Sequence, residues 1–189
     1  NGDGTFTTQP AYGVGNNPLS VAVGHFNEDE YPDIATANRE SNTISILLGN
    51  GDGTFAEHTT YASGNDPRAV AVGDFNGDGA ADLANTNNDD GTISIYFGNG
   101  DGTFAAGVTR AVEKDPWAIG VTDVNGDGSD DIITSNNFWA INSISVLINS
   151  GDGTFAAQGN YVAGDNPLSI AFGDFDKDRD TDIVIANGS

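Results

Sequence analysis

The 189 residues carry 28 acidic and only 6 basic side chains, a formal net charge of −22. This excludes nucleic-acid binding and a polybasic membrane patch, both of which need clustered Lys and Arg, and no apolar run approaches the roughly 18 residues that span a bilayer. Cys and Met are absent, so no disulfide framework exists, and a processed or excised piece is expected.

The chain repeats itself. Asn-Gly-Asp-Gly-Thr-Phe begins at Asn1, Asn50 and Asn99 and returns as Ser-Gly-Asp-Gly-Thr-Phe from Ser150, at spacings of 49, 49 and 51 residues. Pro18, Pro67, Pro116 and Pro167 keep the period, as do His25, Asp74, Asp123 and Asp174. The repeats run 1–49, 50–98, 99–149 and 150–189 within a single region, 1–189.

Each repeat reads as four short strands. The first follows the proline, over 19–26 and 68–75, with Val21 and Val23 facing one way and Ala22 and Gly24 the other. The second follows an acidic loop, as in Asp131 to Asn136, and the third is Ile-rich, as in Thr92 to Phe97. The fourth begins at Thr-Phe, as in Thr54 to Ala62. No 3.6-residue period is sustained, so no helix is expected. A period near 49 with four strands predicts an all-β propeller of four-stranded antiparallel blades. The phase gives three complete blades and a split remainder closing at Asp182 to Asn187. Such a chain is expected to belong to a larger ring, or to share one with a second copy as a homo-oligomer.

The main chemical signal lies between the first and second strands. Oxygen side chains stand at loop positions 1, 3, 5 and 9: Asp74, Asn76, Asp78 and Asp82; Asp123, Asn125, Asp127 and Asp131; Asp174, Asp176, Asp178 and Asp182. Position 7 (Ala80, Ser129, Asp180) offers a backbone carbonyl. Calcium takes six to eight hard oxygens, and alternate residues of a tight loop aim theirs inward. Gly79 and Gly128 at position 6 permit a turn at positive φ. An EF-hand would need Glu at position 12 and flanking helices, whereas strand sequences follow here.

At blade spacing, Asp-Phe-Asn-Gly-Asp-Gly-x-x-Asp-Leu resembles the FG-GAP and VCBS repeats of integrin α-subunits and related lectins and secreted bacterial proteins. The resemblance implies a propeller with Ca²⁺ in about three hairpin loops, placed outside the cell and used for adhesion or ligand binding. The first loop departs from the pattern. His25 stands at position 1 and Glu30 at position 6, so Asn27, Asp29 and Asp33, with Glu28, are expected to hold an ion weakly or not at all. In the last loop Lys177 and Arg179 replace glycines, and Arg179 must bear the strained turn. The lone carboxylates Asp3, Asp52, Asp101 and Asp152 are expected to shape hairpin turns, one Asp being too few ligands for a metal.

In a propeller the 1–2 and 3–4 loops share one face, leaving the 2–3 and 4–1 loops on the other. Arg39, Arg68, Lys114, Trp117, Phe138 and Trp139 fall on this second face, the last two in the lengthened loop 137–142. Arg68, Lys114, Trp117, Phe138 and Trp139 are the candidate ligand-binding residues, for a carbohydrate or an extracellular protein. Both tryptophans also suit packing roles. No enzyme is expected: His25 and His58 lie on different blades, and no nucleophile elbow or phosphate loop appears. The competing readings are a propeller-based polysaccharide lyase or hydrolase, and a purely structural array.

Overall fold

The computed structural model describes residues 2–138 and 141–188. Three four-stranded antiparallel sheets and one two-stranded sheet follow one another along the chain. The first contains β1 (Pro18–Gly24), β2 (Asp33–Asn38), β3 (Thr43–Leu47) and β4 (Thr59–Ala62). The second contains β5 (Pro67–Gly73), β6 (Asp82–Asn87), β7 (Thr92–Tyr96) and β8 (Val108–Ala111). The third contains β9 (Pro116–Thr122), β10 (Asp131–Phe138), β11 (Ile141–Leu147) and β12 (Gly159–Val162). The last pairs β13 (Pro167–Gly173) with β14 (Asp182–Asn187). Each sheet is a blade, and β1, β5, β9 and β13 lie side by side as inner strands.

Each inner strand starts the same way. The residue before its proline takes positive φ: Asn17 at 54°, Asp66 at 56°, Asp115 at 54° and Asn166 at 57°. Asn and Asp tolerate this region better than other side chains, and a proline opening a strand forfeits no interior ladder bond. The alternation along the strand then sorts residues to the two blade faces. Ala22 packs inward toward the second blade, while Val21 and Val23 point away from it and stand 63% exposed. Gly73 is small because the Phe75 ring folds back against it; a Cβ there would lie 2.8 Å from that ring.

The apolar cores lie between blades. Phe26, Ala35, Ala37, Ile44 and Ile46 of the first meet Val70, Leu83, Tyr96 and Phe104 of the second. Phe75, Ala84, Ile93 and Ile95 meet Ile132 and Leu147, and Ile133, Ile144 and Val146 meet Ile170, Phe172, Ile183 and Ile185. Each joint therefore sets one face of a blade against the opposite face of the next, always in the same order along the chain. Asn38 and Asn87 end β2 and β6, Asn136 holds the equivalent place in β10, and all three are fully buried. Each donates its amide to two hydroxyls of the third strand: Thr43 and Ser45, Thr92 and Ser94, Ser143 and Ser145, at 2.9–3.1 Å.

Two expectations need correction. The fourth strand begins at Thr59, not Thr54, because Thr54 closes a turn on Asp52 and Phe55 makes only an isolated bridge to Gly49. Asn137, Phe138, Ile141 and Asn142 are not loop residues: β10 and β11 run on, pairing Asn137 with Asn142 and Phe138 with Ile141. Trp139 itself lies outside the described residues. As expected, the described residues form no α-helix; a three-residue 3-10 turn, Arg39–Ser41, lies between β2 and β3.

Candidate functional site

The acidic loops connect inner and second strands, and backbone bonds pin them. In the second loop Asp74 accepts the N–H groups of Gly77 at 2.8 Å and Gly79 at 3.0 Å. Asn76 Oδ1 accepts Asp78 N, and Asp78 Oδ1 accepts Ala80 N. The third loop repeats this arrangement: Asp123 accepts Gly126 and Gly128, Asn125 accepts Asp127, and Asp127 accepts Ser129. The Asp123 carboxyl is held below its ordinary range chiefly by the Gly128 N–H, and Asp127 chiefly by the Asn125 amide.

Positions 4 and 6 of these loops take positive φ: Gly77 and Gly79 at 71° and 85°, Gly126 and Gly128 at 76° and 89°. The last loop keeps the same path without glycine, Lys177 at 68° and Arg179 at 80°. A side chain there costs about 1–2 kcal/mol, partly offset because Gly is more flexible when unfolded. Arg179→Gly is therefore expected to raise the melting temperature by about 2 °C, read by calorimetry in excess chelator; a lowered temperature would show that Arg179 carries a stabilising contact instead. The first loop differs. Neither Glu28 nor Glu30 has positive φ, and Asp29 is engaged by the Asn27 amide and Tyr31 N.

The position-9 aspartate does more than spacing alone conveys. Asp82 is fully buried, and its two oxygens accept Phe75 N and Gly98 N, both at 2.8 Å. Asp33 does the same with Phe26 N and Gly49 N, and Asp131 with Val124 N and Asn149 N. Asp182 accepts Phe175 N at 2.9 Å. This carboxylate ties the end of the inner strand to the end of the third strand. Burial pushes Asp82 and Asp131 up, partly countered by these N–H groups, and the neighbouring carboxylates Asp78 and Asp74, or Asp127 and Asp123, add to the rise. The clamp survives at Asp33 although the rest of the first loop has diverged. Its signal in the sequence is the unbroken recurrence of Asp at position 9.

The residues fit a hard cation. In the last loop, carboxylate oxygens of Asp174, Asp176 and Asp182 lie within 4.8 Å of one another. Each pair at that distance repels by about 1 kcal/mol even in water, and an all-oxygen donor set suits calcium. The Gly-Asp-Gly-Thr-Phe turns hold no comparable set. Asp3, Asp52, Asp101 and Asp152 each accept the N–H and hydroxyl of the Thr two residues on, which keeps these carboxyls below their ordinary range. These turns also brace the preceding blade's acidic loop, with Gly102 N bonded to Phe26 O and Gly153 N to Phe75 O.

On the opposite face the 2–3 turns bond to the 4–1 connections, as in Asn88 N to Asp66 O and Ala163 N to Asn142 O. Here Arg68 Cζ lies 4.1 Å over the Trp117 ring, while its guanidinium is anchored on Asp66 at 2.7 Å. Asp66 also pairs with Arg39. Lys114 Nζ lies 5.2 Å over the Phe138 ring. The structure thus gathers the described candidates into two stacks. Trp117 remains 36% exposed.

Comparison with known families decides the lineage. The FG-GAP-like repeat matches residues 25–85, 74–134 and 123–185, each span joining one acidic loop to the next. The chain belongs to the FG-GAP-like repeat family. No curated protein matches it. Among solved structures, the FG-GAP chain is similar to an Agrocybe aegerita lectin described for specific recognition of non-reducing terminal N-acetylglucosamine. The TM-score is 0.59 at 21% identity, over 86% of this chain and 45% of the lectin. A component of the Photorhabdus luminescens Tc holotoxin pore matches at TM-score 0.47 and 17% identity, over 82% of this chain and 8% of that one. The FG-GAP chain thus spans less than half the length of either structure. The lectin match agrees with the propeller fold.

Proposed function

We propose that these FG-GAP repeats form a non-catalytic, calcium-stabilised carbohydrate-binding module that works outside the cell. The observation that carries this reading is the Arg68–Trp117 stack. A flat, part-exposed indole is held rigid by a guanidinium that is itself fixed on Asp66. Aromatic faces of this kind stack on sugar rings, and Asp66, which anchors the guanidinium, is linked through Asn42 to Asn65 and Asp90, whose amides and carboxylates suit hydroxyl groups. The likeness to a sugar-recognising lectin supports the same reading. On the opposite face Asp74, Asn76, Asp78 and Asp82 and their counterparts in the third and fourth loops would hold calcium, whose role is to neutralise and tie the hairpins.

A glycan array run in millimolar Ca²⁺ tests the reading. Trp117→Ala is expected to weaken the bound glycan about tenfold, in keeping with the worth of a stacking contact, with a melting temperature within about 3 °C of the parent. Absence of any glycan binding by the parent chain sinks the carbohydrate reading, and unchanged affinity in the variant moves the site away from Trp117.

A further inference from the structure

The joint between the second and third blades departs from the repeat at two places, and both departures reach the same neighbour. The residue two places past the third strand is Gly49 in the first repeat and Gly98 in the second, but Asn149 in the third. Position 8 of the acidic loop is Pro32, then Ala81, then Asp130. Glycine suits the first two repeats, because a Cβ would lie 2.4 Å from Pro32 O or 2.2 Å from Ala81 O. In the third repeat the turn admits a side chain, and Asn149 is buried at 1% exposure.

Asn149 joins two acidic loops. Its N–H donates to Asp131 Oδ1, at position 9 of the third loop, at 2.8 Å. Its side-chain amide donates to Asp130 O of the same loop at 3.0 Å and to Phe75 O of the second loop at 2.8 Å. Asp130 reaches across as well, its Oδ2 accepting Asp74 N at 3.0 Å. Asp74 and Asp131 belong to two different oxygen sets, so a chain of hydrogen bonds runs from one set to the other. At the first joint the bond from Gly102 N to Phe26 O matches that from Gly153 N to Phe75 O, but Gly98 and Ala81 have no polar side chain to add to it. A cation that fixes Asp131 also fixes Asp130 and Asn149, which then hold Asp74 and Phe75 in place. Part of the ordering that the second loop needs is thereby complete before its own ion arrives, which is positive coupling. Repulsion between the two cations acts the other way and is screened by salt.

We propose that Asp130 and Asn149 are positioning residues that couple calcium binding in the second and third acidic loops, so that an ion in either loop strengthens binding in the other. This rests on the reading that these loops hold calcium. The coupling is reciprocal by linkage.

The test titrates CaCl₂ into the 189-residue chain at about 150 mM KCl, followed by backbone amide NMR. The N–H groups of Gly79 and Gly128 bond Asp74 and Asp123 and report the two loops separately. Asp123→Ala disables the third loop and is expected to raise the Kd of the second about threefold, in keeping with the net worth of one hydrogen bond. Asp74→Ala should raise the Kd of the third loop by the same factor. In a chain that also carries Asn149→Gly and Asp130→Ala, both factors should fall to about one. These two substitutions restore the residues of the second repeat, where Gly98 N keeps its bond to Asp82 Oδ1, so the fold and the position-9 bonds persist. Independent loops in the parent chain overturn the coupling and leave the calcium reading standing, as does a threefold factor that survives both substitutions. Absence of saturable shifts at Gly79 and Gly128 overturns the calcium reading and the coupling together.

Discussion

Asp82→Ala is expected to lower the melting temperature by about 10 °C even in excess chelator. Both carboxylate oxygens accept buried backbone N–H groups, of Phe75 and Gly98. Removing the carboxylate strands both donors where water does not replace it. Hydrogen bonds to a charged group are worth about 1.5–3 kcal/mol each, and a chain of this size loses about 2–4 °C per kcal/mol. Asp74→Ala is the informative contrast. Its partners, Gly77 and Gly79, are exposed loop residues, so in chelator it should cost less than about 3 °C. Equal losses in the two variants, measured without metal, would refute the clamp.

Calcium should produce the second large effect. At a free concentration about ten times Kd, each site adds about 1.4 kcal/mol, so three sites raise the melting temperature by on the order of 10 °C. Weak sites of the extracellular kind reach that regime at millimolar Ca²⁺. Three ions would also reduce the formal charge from −22 to about −16. The Asp74→Ala chain should lose about a third of the gain, and Mg²⁺ at equal ionic strength should give less of it. A melt unchanged between chelator and millimolar Ca²⁺ would remove calcium from the account.

Much of this was legible from residue order, because the period is strict. Recurrence alone marked the blades, the strand order and the positive-φ turns, including the strained Arg179. Other features were hidden for identifiable reasons. Thr54 and Phe55 look like strand residues, but the hydroxyl of Thr54 is spent on Asp52, which keeps the backbone in a turn. Asp82 resembles Asp74 and Asp78 as a letter in a motif. Its difference is burial, and burial depends on Gly98, sixteen residues away, arriving beside it. The pairing of Arg68 with Trp117 joins two strands 49 residues apart, which no local pattern displays. Asn38, Asn87 and Asn136 did recur in phase, but their hydroxyl partners become evident only when the second and third strands are laid together.

The fixed order of opposite faces at the joints gives the array a direction. A blade copied in tandem presents the right surface to both neighbours, whereas an inverted blade would set like faces together. Growth by duplication is therefore compatible with this packing at every step, because each new copy inherits a mating surface already tested by the previous one. Cooperativity is correspondingly one-dimensional: every blade answers to two neighbours, and a defect at one joint weakens those beyond it only through the blades between.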